Sequence, residues 1–138
     1  MVKGFQSPIT IKEAMDKIDE NKFVLPGIQR RFVWQIEQIE LLFDSIMRGY
    51  PMNSLMLWEI TDPKIKNEYN YYSFLRKYQE RFGVENELIN KTASDADFFA
   101  VIDGQQRLNS LYIGLKGSYT VKKTHRKWIN KSDHFDEK

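Results

Sequence analysis

Asp103-Gly104-Gln105-Gln106-Arg107 is the run whose residue types and spacing point to chemistry. It stands between the apolar stretch Phe98–Ile102 and a helical pattern that begins at Leu108. A junction of strand and helix is where α/β proteins place ligands, because amides at a helix start lack partners within the helix. Those amides and the helix dipole favour an anion. Gly104 lets the backbone turn sharply or approach a ligand closely. Arg107, one turn into the helix, can fork onto phosphate oxygens. Gln105 and Gln106 can each donate and accept, which suits a base, a ribose or a positioned water. Asp103 can accept from a hydroxyl, hold a metal through water, or cap the helix. A plain structural reading competes: an N-cap aspartate, a turn glycine and a surface arginine.

A second polar corner lies in Pro26-Gly27-Ile28-Gln29-Arg30-Arg31-Phe32-Val33-Trp34. Gln29, Arg30 and Arg31 again follow a strand pattern and precede a helix, while Phe32 and Trp34 read as core anchors. If the two strands are neighbours, Gln29 and Arg30 join Gln105, Gln106 and Arg107 around one cleft, and two arginines there would suit a polyphosphate.

The elements that position these corners follow from periodicity. Thr10 and Glu13 have capping-box spacing, and Ile11, Ala14, Met15 and Ile18 share a face, so a helix is expected over about 11–20. Lys22–Leu25 reads as a short strand stopped by Pro26-Gly27. Ile36, Ile39, Leu42, Phe43, Ile46 and Met47 keep helical spacing over about 35–48, closed by Gly49 and Pro51. Residues 54–60 and 97–102 are apolar runs of strand length, both expected buried. Between them, 61–70 reads as loop, 71–82 as a helix, and 86–97 as exposed polar chain, together an excursion outside the core. Leu108, Leu111, Tyr112 and Leu115 mark a helix ending near Gly117, and 118–123 suits a further strand. Strands alternating with helices predict a small α/β or α+β domain with a short mixed sheet. The domain is expected over 1–122. The polar stretch 123–138 has no stop signal, so a loose tail or a fragment of a longer chain is expected.

Composition narrows the functions. The chain has 138 residues, suiting one domain. Its net charge of +2 is too small to argue for nucleic acid by itself. Absence of cysteine removes disulfides, thiolate zinc sites and cysteine nucleophiles. His125 and His134 fall in the polar tail, so a histidine-based metal or triad site has no support. No window has signal-peptide or membrane-span character, and a cytoplasmic protein is expected. Asp62, Glu68, Glu80, Glu85 and Glu87 show no acid–base pairing. Lys116, Lys122, Lys123, Arg126 and Lys127 beside Trp128 read as a solvated basic face, and Tyr69, Tyr71, Tyr72 and Phe74 as packing rather than a stacking platform. Neither the GxxxxGK[ST] nor the GxGxxG phosphate loop is present.

The two corners together resemble the N-terminal domain of the GmrSD-type restriction family. Its pattern is Pro-x-x-Gln-Arg-x-(Tyr/Phe)-x-Trp, a helix, a strand, then Ile-Asp-Gly-Gln-Gln-Arg-Leu. Pro26, Gln29, Arg30, Phe32 and Trp34 match the first part, and Ile102 through Leu108 the second without a gap. The resemblance spans about 5–120. It implies a ParB/sulfiredoxin-like domain that binds a nucleoside triphosphate (GTP, ATP or CTP, with Mg2+) and couples binding and hydrolysis to cleavage of modified or foreign DNA. Asp103, Gly104, Gln105, Gln106 and Arg107 then carry the nucleotide motif, with Asp103 and the two glutamines as catalytic candidates and Gln29 and Arg30 lining the same site. Asn109-Ser110 stands where the family often has Thr-Thr. The family's nuclease is usually a separate His-Asn-His module, and no nuclease constellation occurs in this chain, so a nuclease domain or subunit is an expected partner. The alternative is a ParB-like DNA-binding or specificity module without turnover.

Overall fold

The computed structural model describes residues 6–27, 32–79 and 86–120. In chain order these form α1 (Ile11–Asp19), β1 (Phe23–Pro26), α2 (Ile36–Met47), β2 (Met56–Ile60), α3 (Pro63–Glu68), β3 (Tyr71–Tyr72), β4 (Lys77–Gln79), β5 (Leu88–Ile89), β6 (Phe98–Asp103), α4 (Gln105–Lys116) and β7 (Ser118–Thr120). The result is a small α+β domain on a mixed five-stranded sheet, ordered β2-β6-β1-β3-β5, with β4 and β7 pairing apart from it. The stretch 121–138, with the expected tail and both histidines, lies outside the described residues.

The helices expected over about 11–20, over 35–48 and after Gly104 form as α1, α2 and α4. Thr10 Oγ1 accepts from the Glu13 amide and the Glu13 carboxylate accepts from the Thr10 amide, closing the capping box of α1. Ala14, Met15 and Ile18 bury the inner face of α1. They join Phe23 and Leu25 of β1, Val101 of β6, and Leu108, Leu111 and Tyr112 of α4 in one core cluster. Val24, Ile60, Phe98 and Ala100 alternate onto the other sheet face, where Tyr71 stacks edge-on against Phe98 with ring centres 4.9 Å apart. Phe32, Ile39, Leu75 and Ile113 make a third cluster that seats α4 against α2 and the second strand pair.

The pairing that matters for the site is β1 with β6. They run parallel, Phe23 opposite Phe99 and Val24 opposite Ala100. Their carboxyl ends therefore lie side by side at the same end of the sheet.

Four expectations need correction. Residues 61–70 are not all loop: Asp62 Oδ1 accepts from the Lys64 amide at 2.8 Å and Pro63 opens α3. Pro at a first helical position behind an aspartate cap starts a helix rather than stopping one. The stretch from Tyr71 is strand, not helix: Tyr71 and Tyr72 pair antiparallel with both β1 and β5. Sheet contacts there overrule a helical spacing of aromatic residues that favour strands. Nor is this excursion outside the core, since Tyr71, Phe74 and Leu75 are buried. Finally, the strand at 56–60 exists but is mostly exposed, because it lies at the sheet edge. Met56 is 59% and Trp58 39% exposed, and only Ile60 reaches the core.

Candidate functional site

The corner at Asp103 is built by the turn from β6 into α4. Gly104 sits at φ +91°, the left-handed region, and a Cβ there would stand 2.3 Å from Leu55 Cδ2. Both facts demand glycine. Its amide donates to Asp103 Oδ1 at 2.8 Å, and Asp103 itself is exposed. Having no side chain, Gly104 caps nothing, so the first-turn amides of α4 receive no acceptor from the N-cap residue.

The side chains that follow reach backbone groups of neighbouring segments. Gln105 Nε2 donates to the Val101 carbonyl at 2.8 Å. Gln106 Oε1 accepts from the Val33 amide at 3.2 Å, which ties the Asp103 corner to the far end of the Pro26 corner. Arg107 Nη1 donates to the Asn53 carbonyl at 2.8 Å and Nη2 to the Ser54 carbonyl at 3.1 Å. Both lie in the connection between α2 and β2. Because a carbonyl only accepts and an amide only donates, these partners fix which end of each glutamine is oxygen.

Behind the first turn, Asn109 is buried and grips one residue twice. Its Oδ1 accepts from the Leu75 amide at 3.0 Å, and its Nδ2 donates to the Leu75 carbonyl at 3.1 Å. Asn86 Nδ2 donates to the Ser73 carbonyl at 2.8 Å. Leu25, Phe32, Asn86, Gln105, Gln106 and Asn109 line a cavity of about 10 Å³. That is room for one water. A nucleotide cannot lie inside it and would have to sit across its mouth, against the helix start.

The structure thus brings Gln105 and Gln106 against Phe32 and Val33 of the Pro26 corner, with Gly104 and exposed Asp103 beside them and Arg107 reaching the carbonyls of Asn53 and Ser54. Gln29, Arg30 and Arg31 fall outside the described residues. Sequence reading singled out Phe32 as a core anchor, which it is, but not as part of this cavity. It missed Asn109 as a clamp, although an Asn inside an apolar helical stretch, four residues after Gln105, was the available signal. Asn86 and the loop at 53–55 gave no signal, because their roles depend on backbone groups brought in by the fold. Among the described residues, no three His, Cys, Asp or Glu side chains gather as a metal site, and no helix is long and apolar enough to cross a membrane.

The family model of the GmrSD restriction endonuclease N-terminal domain matches residues 11–138. The chain belongs to this family. The match takes in both polar corners and every element described above, so the corner at Asp103 is part of the shared domain. Membership makes the chain a restriction-related module. A comparison with curated proteins finds no match.

Proposed function

We propose that this domain binds a nucleoside triphosphate, GTP, ATP or CTP with Mg2+, across the start of α4, and serves as the nucleotide-operated module of a modification-dependent restriction protein in the cytoplasm. The observation that supports this reading is the parallel pairing of β1 and β6, which sets the carboxyl ends of the two strands side by side. Phosphates would meet the first-turn amides of α4, with Gly104 allowing close approach. Arg107 and Arg30 would supply forked donors. Magnesium, when bound with a triphosphate, offsets charge on the phosphate oxygens. It needs only one or two protein carboxylates and keeps its remaining waters, so the single exposed carboxylate of Asp103 fits it. For hydrolysis, Gln105 and Gln106 would orient a water, and phosphoryl transfer asks little more of a protein than positioning and charge. Cleavage of DNA would fall to a nuclease domain or subunit.

The test is melting temperature against GTP, ATP, CTP and UTP with Mg2+, for the wild type and for Arg30→Ala. A nucleotide at a hundred times its Kd should stabilise by about 2.7 kcal/mol, and Arg30→Ala should remove most of that gain. No shift with any nucleotide, in a protein that melts cooperatively, would sink this reading. Salt-sensitive DNA binding by such a protein would instead favour a DNA-reading module without turnover.

A further inference from the structure

Arg107 is committed to a loop at the place where phosphates would arrive. Helical side chains lean toward the N-terminus of their helix. Accordingly, Arg107 Nη2 lies 3.3 Å from where a Cβ on Gly104 would stand, beside the mouth of α4. From there it holds the carbonyls of Asn53 and Ser54. Residues 51–55 carry no helix or strand, and these two bonds are the hydrogen bonds that reach them among the described residues.

We infer that Arg107 is a latch, holding the loop at 53–55 in the nucleotide-free domain and releasing it when phosphate oxygens draw the guanidinium away. The inference rests on the nucleotide reading above and adds its regulation. Two differences favour release. Arginine pairs with phosphate bidentately, charge against opposite charge, whereas the carbonyls it would leave are neutral acceptors. The abandoned carbonyls lie at exposed residues, so water replaces the arginine at little cost, whereas only a buried orphan is expensive. The loop leads straight into Met56, Leu57 and Trp58, exposed apolar residues of the edge strand β2. Nucleotide occupancy is thereby passed to a surface beside the site.

The chain has no cysteine, so Asn53→Cys gives a single attachment point for a nitroxide on an exposed residue whose own side chain makes none of these bonds. Electron paramagnetic resonance of the labelled full chain, titrated in turn with GTP, ATP and CTP plus Mg2+, reads loop mobility, while melting temperature in the same samples reads binding. The expected result is a broad, immobilised spectrum that sharpens in step with the thermal shift. In Arg107→Gln the sharp spectrum should be present before any nucleotide is added. A thermal shift with an unchanged wild-type spectrum would overturn the latch and leave the proposed function standing. No thermal shift would overturn both. Should Arg107→Gln fail to fold, the wild-type titration decides alone.

Discussion

Along α4, Gln105, Gln106 and Arg107 are half-buried, whereas every residue from Leu108 to Ile113 is buried. Both stretches use polar side chains to hold backbone groups of other segments. Arg107 takes two carbonyls of the loop before β2, and Asn109 takes the amide and carbonyl of Leu75. The difference is what can replace the partner. Water or a ligand can reach the groups at the first turn, so those bonds are exchangeable. Leu75 and Asn109 are both buried, so solvent does not readily replace that clamp. One helix thus has an accessible end and a buried, fixed middle, and burial rather than residue type separates them.

The largest expected effect tests this directly. Asn109→Ala leaves the Leu75 N–H and C=O unpaired in the interior, at about 1–3 kcal/mol per group, so roughly 3 kcal/mol in total. Arg107→Ala also removes two bonds to backbone, but at an exposed site, and should cost under about 1 kcal/mol. Urea unfolding of the two variants beside the wild type measures both. Equal losses would break the contrast between the two ends of the helix.

Gly104→Ala comes next. It places a side chain in the left-handed region, costing about 1–2 kcal/mol, and drives a Cβ into Leu55. About 2 kcal/mol is expected. Because Leu55 is half of the clash, Leu55→Ala should relieve part of it. The double variant should then be less destabilised than the sum of the singles, the signature of touching residues. Additive losses would mean that backbone strain alone makes glycine necessary here.

How much of this was legible follows the same division. The capping box at Thr10, the helix over 36–47 and the strand–glycine–helix turn at Gly104 are local signals, and all formed, although Met47 of the expected apolar face of α2 is exposed. The corner at Asp103 was singled out because polar and flexible residues in a row between a strand and a helix do not build a core. What escaped depended on partners distant in sequence. β2 and β6 look alike as apolar runs, yet one is a sheet edge and the other lies between β2 and β1. No local pattern distinguishes them. Tyr71 and Tyr72 became strand because β1 and β5 flank them. The uses of Arg107 and Asn109 are set by the carbonyls of residues 53, 54 and 75, which sequence spacing cannot bring into view.

The smallest effect lies at the opposite end of α4 and should depend on pH. Asp19 of α1 accepts from Lys116 and, at 2.7 Å, from the Tyr112 hydroxyl. These bonds, with Lys116 the larger cause, hold the Asp19 carboxyl below its ordinary range. Asp19 in turn raises the Lys116 ammonium. A carboxylate depressed in the folded state contributes stability above its unfolded pKa of about 3.9, and that contribution disappears as pH falls through the folded value. A raised lysine contributes below its unfolded pKa of about 10.4 and loses that contribution as pH rises through its higher folded value. The stability difference between wild type and Asp19→Asn should therefore be level across neutral pH and shrink in acid below about pH 4 and in alkali above about pH 10.4. Both charged groups face solvent, so the level itself will be small. Melting temperature against pH for the two proteins checks it. A difference that persisted unchanged into strong acid would show that the neutral Tyr112 hydrogen bond, not the charge, carries the contact, and would make this end of α4 resemble the Asn109 clamp more than an exposed ion pair.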